Sequence, residues 1–171
     1  MVIKHLSDHH KLKQRFCPGV DPEDSLLRVA ALQLRSHFNP VTEVCLGCLC
    51  QAVSGCKQGL KCEAETCGLF RITWAYWADA GKPTVQGQSP DQPDAYSNCA
   101  IDPYCAAQTV QGYMSRFGQD CNNDGRIDCY DYMAIHKLGG YGCSGELPFG
   151  YVNVFNQCVA ASKNIDNVWS D

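Results

Sequence analysis

CLGCLCQAVSGC, residues 45–56, places four of the chain's 13 cysteines within twelve residues. Thirteen cysteines in 171 residues is a density typical of extracellular domains that depend on disulfide bonds for stability, and it argues against a cytosolic enzyme. Because the number is odd, at least one cysteine is expected to lack an intramolecular partner. The chain is therefore predicted to be secreted.

Charge and hydropathy exclude two classes of partner. The formal net charge is −4, with +2 on residues 1–40 and −6 on residues 41–171, so the cysteine-rich part is acidic and nucleic acid is not an expected partner. No apolar run approaches the roughly 18 residues of a membrane span. The apolar fraction of 45% is enough for a packed core.

Residues 1–40 differ from the rest and are interpreted as an N-terminal extension, poorly ordered or partly helical, before a domain at 41–171. They contain one cysteine, Cys17, and the segment SLLRVAALQLRSHF, which has the pattern of an amphipathic helix. No unbroken apolar stretch of about 7–15 residues marks a secretory signal. We expect either that the true start differs from the written one or that the extension is real and export is unusual.

Apolar spacing predicts helices over 72–80, 105–117, 128–138 and near 152–161. Gly81 and Pro83 follow the first of these as stop signals, and Gly139 and Gly140 follow the third. Residues 84–98, TVQGQSPDQPDAYSN, are predicted to form a polar loop. The domain is therefore expected to be mostly helical with irregular, disulfide-bonded loops.

Several motifs occur together in a fixed order: CLGCLCQAVSGC, CGLFRITWAYWADAG, VQGYMSRF and AIHKLGGYGC. In this order they resemble the invertebrate-type (i-type) lysozymes, also called the destabilase family, over about residues 45–160. The resemblance implies a mostly α, α+β lysozyme-like fold with a short β or irregular loop near 60–70. It also implies bacterial peptidoglycan as the partner and hydrolysis of its glycan by a Glu/Asp pair, without a catalytic cofactor.

The family's disulfide pattern, carried over cysteine by cysteine, implies six bonds and leaves Cys17 without a partner. A thiol or a dimer linked through Cys17 is therefore expected. A further bridge that many members have would fall at Ala80 and Thr109, where both cysteines are absent. The implied pairs are Cys45–Cys129, Cys48–Cys158, Cys50–Cys56, Cys62–Cys67, Cys99–Cys105 and Cys121–Cys143.

The resemblance places the catalytic acid, a Glu in the family, at Val53. Valine transfers no proton, and general acid catalysis contributes roughly 10²–10⁴-fold, so a weak muramidase at best is expected. The second carboxylate belongs to a loop shortened here to CEAETC, where Glu63 or Glu65 is the candidate. One of these glutamates would act as acid with another carboxylate as its partner, or both are solvated loop charges.

Two further groups of residues are candidates. The isopeptidase activity credited to some family members uses a Ser/Lys pair with a His; Thr73 stands at the Lys position and His136 alone persists, so we favour a structural His136. Pyranose rings stack on aromatic side chains, which makes Trp74, Tyr76 and Tyr113 candidates for glycan binding. Aromatic residues at helical spacing more often belong to a packed core; Trp77 is the strongest candidate for that core, while Tyr76 and Tyr113 suit either role.

Residues 120–131, DCNNDGRIDCYD, fit a helix-flanked calcium loop, a feature that the resemblance does not supply. Such a loop needs oxygen ligands at positions 1, 3, 5, 7, 9 and 12 and a glycine at position 6, which is Gly125 here. An aspartate replaces the usual glutamate at position 12, so binding is expected to be weak. The alternative is a turn that leads into a capped helix. The candidate ligands are Asp120, Asn122, Asp124, Arg126 (through its carbonyl), Asp128 and Asp131.

Two function hypotheses remain open. In the first the chain is a secreted peptidoglycan hydrolase of low activity; in the second it is a catalytically disabled relative that binds peptidoglycan or another glycan, or modulates immunity. Val53 favours the second. Isopeptidase activity is a minor alternative.

Overall fold

The computed structural model describes residues 39–168, with side chains described through Ser162. Six helices and three short strands lie in this part of the chain. The predicted helix within 25–38 and Cys17 lie outside the described residues. The elements in chain order are α1 (Glu43–Ser54), β1 (Cys62–Glu63), β2 (Thr66–Cys67), β3 (Ile72–Thr73), α2 (Trp74–Asp79), α3 (Ala95–Ile101), α4 (Pro103–Phe117), α5 (Cys129–Leu138) and α6 (Phe149–Val168).

Helix α1 has clear signals at both ends. The Thr42 side chain accepts a hydrogen bond from the backbone N–H of Cys45 and so caps the N-terminus. Gly55 ends the helix with φ +70°, a conformation that glycine adopts at little cost. The helix buries Cys48 and Leu49 and packs most extensively on α6.

The region near 60–70 forms a small antiparallel sheet in the order β1–β2–β3, which confirms the expected β element. Cys67 pairs with Cys62 on one side and with Ile72 on the other. This pairing corrects the predicted helix over 72–80: Ile72 and Thr73 are recruited as a strand, and α2 begins only at Trp74. Local periodicity did not reveal this because the strand's partner is contributed by the hairpin.

The predicted loop over 84–98 is wrong at its end, where α3 begins at Ala95. Ala95 and Cys99 are fully buried, and Cys99 is bonded to Cys105 of α4, so burial and the disulfide favour a helix despite the polar composition. The helix predicted over 105–117 begins two residues earlier, because the Asp102 side chain accepts N–H bonds from Tyr104 and Cys105.

The last two predicted helices are confirmed as α5 and α6, the second being longer than expected. Six disulfides join the elements with the pairings that the resemblance implied. Cys45–Cys129 and Cys48–Cys158 span 84 and 110 residues, and in the chain-entropy treatment each stabilises the fold by roughly 4 kcal/mol.

The core is built from buried residues of all six helices and of the segment from β2 to β3. Its largest side chains, all nearly inaccessible to solvent, are Leu49, Phe70, Ile72, Trp77 and Phe155. Trp77 is therefore a core residue, as predicted. Across residues 39–168 none of the helices combines the length and hydrophobicity that crossing a bilayer requires.

Candidate functional site

Val53, where the resemblance places the catalytic acid, lies in the last turn of α1 and is partly buried against the core. Its neighbour Ser54 donates hydrogen bonds to the carbonyl oxygens of Leu69, at 2.6 Å, and of Cys50, at 3.3 Å. These bonds hold the end of α1 against the segment that joins β2 to β3. The position is therefore well ordered, but its isopropyl group can neither donate nor accept a proton.

The two carboxylates of the hairpin are exposed. Glu63 lies in β1, and its Oε2 accepts a hydrogen bond from Nη1 of Arg71 at 2.7 Å. Glu65 lies in the turn between β1 and β2, where its backbone carbonyl accepts a bond from Tyr96. A catalytic acid of this kind usually lies in an apolar pocket, whereas both of these side chains are open to solvent.

Arg71 is a residue that sequence reasoning missed. Its backbone has φ +50°, and its guanidinium reaches back eight residues to pair with Glu63. The ion pair places a cation against the Glu63 carboxylate, an arrangement that suits an electrostatic partner more than a proton donor. Only the register of the hairpin brings the two side chains together, so spacing in the sequence carried no signal for this pair.

His136 has both ring nitrogens engaged by core elements. Nδ1 lies 3.0 Å from the hydroxyl of Tyr76, and Nε2 lies 3.0 Å from the carbonyl oxygen of Phe70. Because the carbonyl can only accept, Nε2 carries the proton and Nδ1 accepts from the tyrosine. Removal of water from the ring lowers the pKa of His136 from 6.5 to about 4, so the imidazole is neutral at pH 7.

Thr73, where the resemblance places a lysine, caps α2. Its Oγ1 accepts a hydrogen bond from the backbone N–H of Tyr76 at 3.2 Å. The hydroxyl of Tyr76 also contacts His136. Thr73 therefore hydrogen-bonds to the first turn of α2, while His136 contacts a side chain of the same helix. Neither contact gives a nucleophile beside a general base.

The candidate aromatic residues separate into two groups. Tyr76 and Tyr113 stack with their ring centroids 3.7 Å apart, and the Tyr113 hydroxyl accepts a bond from the N–H of Gly140. Burial raises the pKa of both phenols, that of Tyr76 more strongly. Trp74, by contrast, is 57% exposed. The structure therefore brings Tyr76, Tyr113 and His136 together in the interior and leaves Trp74 at the surface.

The loop at 120–131 is closed by its own side chains. Asp120 accepts N–H bonds from Asp124 and Gly125, and Asp124 accepts one from Arg126. The side-chain oxygen of Asn122 accepts a further hydrogen bond from the N–H of Asp124. Gly125 has φ +85°, as a sharp turn at this position requires. These bonds give the loop a defined shape.

The two aspartates at the end of that loop cap α5. Asp128 accepts from the N–H of Tyr130, while the fully buried Asp131 accepts from the N–H groups of Cys121 and Asp128. Within the described residues no three His, Cys, Asp or Glu side chains are arranged as a metal site. The capped turn therefore accounts for the contacts of Asp128 and Asp131, and calcium binding stays a prediction.

Comparison with known proteins gives a consistent result. A sequence model of the family described as Destabilase matches residues 42–158. The chain is 31% identical over 122 residues to invertebrate-type lysozyme 3 of Caenorhabditis elegans, covering 69% of this chain and 86% of that protein. It is 35% identical over 116 residues to a lysozyme of Meretrix lusoria, covering 66% and 86%.

Solved structures show the same similarity. Inhibitor-bound lysozyme from Meretrix lusoria superposes with a TM-score of 0.54 at 31% identity, over 70% of this chain and 91% of that one. A chain from the complex of Aeromonas hydrophila PliI with Meretrix lusoria lysozyme gives a TM-score of 0.57 at 29% identity, covering 71% and 93%.

Proposed function

Because the chain belongs to the destabilase family of invertebrate-type lysozymes, we propose that it is an extracellular protein that binds bacterial peptidoglycan and hydrolyses it weakly or not at all. The six disulfides support an extracellular location, since they persist only in oxidising compartments. The relatives are named lysozymes, which supports a bacterial glycan as the partner.

The proposal of low activity depends on one observation, the valine at position 53. Glycoside hydrolysis of this type needs one carboxylic acid to protonate the leaving oxygen and a second carboxylate, ionised, across the scissile bond. Glu63, paired with Arg71, suits only the second of these tasks. The chain would then retain the second carboxylate and lack the acid that protonates the leaving oxygen.

A weak hydrolase is the second candidate, and Glu65 is the residue that favours it. This glutamate makes no ion pair with the described residues, and Tyr96 holds its backbone at the hairpin turn. It would have to serve as the acid while Glu63 serves as the carboxylate. Its exposed position differs from the apolar pocket in which a catalytic acid of this kind usually lies.

Isopeptidase activity receives no support from the contacts of His136. Both ring nitrogens are used within the core, and the chain has Thr73, as a helix cap, at the position of the family's lysine. We therefore assign His136 a structural role. It links α5 to α2 and to the segment that precedes β3.

The test compares binding with lysis for the full chain. Purified bacterial sacculi are incubated with the protein and sedimented, and the turbidity of a parallel suspension is followed over time. We expect the protein in the pellet and no loss of turbidity. Slow clearing by the wild type that Glu65→Gln or Glu63→Gln abolishes would establish the weak-hydrolase alternative, and absence from the pellet would contradict peptidoglycan binding.

A further inference from the structure

We propose that Trp74 and Lys82 form a binding site for a glycan that carries a carboxylate, with the sugar ring on the indole and the carboxylate on the ammonium. This inference rests on the proposed function and names the charge of the glycan that the domain prefers. Trp74 begins α2 and is 57% exposed, whereas Trp77, three residues later, is 2% exposed. A single exposed indole is common on protein surfaces and does not by itself indicate a binding site.

The second observation is a cation held over that indole. The Nζ atom of Lys82 lies 5.8 Å from the centre of the Trp74 ring, within the range of a cation–π contact. The ion pairs among the described residues are Arg71–Glu63 and Arg116–Asp79, so Lys82 has no carboxylate partner there. Lys82 is exposed, so its ammonium is open to an anionic group of a ligand.

The third observation is that the turn presenting Lys82 is fixed from the core. The N–H of Lys82 donates to the carbonyl of Trp77 at 3.1 Å, and the indole Nε1 of Trp77 donates to the carbonyl of Pro83 at 2.7 Å. Lys82 itself has φ +54°, which a non-glycine residue adopts only when its surroundings impose it. The buried Trp77 therefore orients the residue that stands over the exposed Trp74.

The chemistry of the pair selects an acidic sugar. A pyranose presents apolar C–H groups on one face, which pack on an aromatic ring, and it presents its substituents at the edge. A carboxylate at that edge would meet the ammonium of Lys82, whereas a neutral sugar would use the indole alone. Since the ammonium is exposed, its contribution is modest and sensitive to salt.

Three soluble oligosaccharides test this specificity. The first is chitotetraose, which is neutral; the second is the peptide-free tetrasaccharide of alternating N-acetylglucosamine and N-acetylmuramic acid, which has free lactyl carboxylates; the third is tetragalacturonate. Dissociation constants of the full chain are measured by calorimetry, and the indole N–H signals are followed by NMR. We expect an acidic oligosaccharide to bind about two- to fivefold more tightly than chitotetraose at low salt.

Variants separate the two side chains. Lys82→Gln should abolish the preference for acidic oligosaccharides over chitotetraose, while Lys82→Arg should retain the preference. Trp74→Ala should weaken binding of every oligosaccharide by about tenfold. The matched control is Lys137→Gln, because Lys137 lies 5.5 Å from the ring of Tyr151, which is buried and offers no open face. Melting temperatures verify that each variant is folded.

The outcomes distinguish this inference from the proposed function. Binding to sacculi together with an unchanged preference in Lys82→Gln would overturn the inference alone. Lysine-dependent binding of tetragalacturonate without binding to sacculi or to the muramic acid tetrasaccharide would support the inference and overturn the proposed function. Failure to bind any of these glycans would overturn both.

Discussion

At the scale of single residues, the change with the greatest consequence is Val53→Glu. It places a carboxyl group at a partly buried, ordered position in the last turn of α1, with Glu63 available as the second carboxylate. General acid catalysis contributes roughly 10²–10⁴-fold, so we expect turbidity clearance to rise by at least about tenfold. The assay is the rate of clearing of bacterial cell walls by the full-length variant beside the wild type.

The control for that variant is Val53→Gln, because glutamine is similar to glutamate in size and polarity but has no acidic proton to transfer. Adding Glu63→Gln or Glu65→Gln to Val53→Glu identifies the second carboxylate, since only the true partner should abolish the gained activity. Equal rates for Val53→Glu and Val53→Gln would contradict the assignment of position 53.

His136 leads to a prediction about acid stability. Its pKa is about 4 in the folded state, against 6.5 for a histidine exposed to water, so the unfolded chain binds the proton more tightly. The free energy of unfolding should therefore fall as the pH drops from 6.5 to 4, by about 2–3 kcal/mol from this group. The charge would arise between the Tyr76 hydroxyl and the Phe70 carbonyl, beside Lys137, with no carboxylate among the contacts described for the ring.

Urea unfolding at pH 7, 5.5 and 4 tests this prediction against His136→Gln. The glutamine can hydrogen-bond but replaces only part of the ring's contacts, so the variant should be less stable than the wild type at pH 7. Because it does not titrate, it should lose less stability on acidification. Parallel pH profiles for the two proteins would show that His136 does not titrate as the structure implies.

At the scale of elements, the loop at 120–131 carries the calcium prediction. Its shape is already set by side-chain bonds to its own backbone and by the cap of α5, so a cation would add to a formed structure. With weak binding, on the order of 10⁻⁴–10⁻³ M, calcium at about 1 mM would add roughly 0.4–1.4 kcal/mol. The expected result is a melting temperature about 1–5 °C higher in calcium than in chelator.

Asp124→Ala is the control for that experiment. Asp124 is exposed and lies in the loop, away from the helix cap, so its loss should remove the calcium effect without unfolding α5. The absence of both a calcium-dependent shift and a heat of binding at millimolar calcium would leave the capped turn as the whole explanation.

At the scale of the whole molecule, a buried pair of hydrogen bonds joins Val41 to Gln111 of α4. The N–H of Val41 donates to Oε1 of Gln111 at 3.0 Å, and Nε2 of Gln111 donates to the carbonyl of Val41 at 2.7 Å. Deletion of residues 1–38 preserves this pair, so the melting temperature should be nearly unchanged. Deletion of residues 1–41 leaves the buried amide unsatisfied and should cost about 3 kcal/mol or more.

Thermal unfolding of the two truncated chains beside the full chain tests the boundary. A large loss of stability on removing only residues 1–38 would mean that the extension packs on the domain, and no loss on removing 1–41 would mean that Gln111 is satisfied in another way.

The odd cysteine leads to a second prediction at this scale. All twelve cysteines of residues 39–168 form disulfides, so Cys17 is the one cysteine left without an assigned partner. We expect a thiol reagent to label one cysteine per unreduced, denatured chain, or a disulfide-linked dimer on a non-reducing gel. Cys17→Ser should remove either signal. A monomer without a reactive thiol would contradict the prediction.

The sequence by itself determined the family and most of the helices, and through the family resemblance it implied the disulfide pairs. The helices depend on local patterns, namely capping residues and apolar residues that repeat along one helix face, and the family is identified by motifs with cysteines at set intervals. The errors were local as well. Ile72 and Thr73 became a strand and Ala95–Ile101 a helix because residues distant in the chain pair with them or bury them.

Only the tertiary structure decided how the candidate side chains are used. The bonds of His136 to Tyr76 and Phe70 span 60 and 66 residues, and that of Gln111 to Val41 spans 70. The Glu63–Arg71 pair needs the register of the hairpin, and the exposure of Trp74 beside the buried Trp77 needs the packing of α2. Hydrogen bonding and burial depend on which surfaces meet in the folded chain, and no local pattern encodes that.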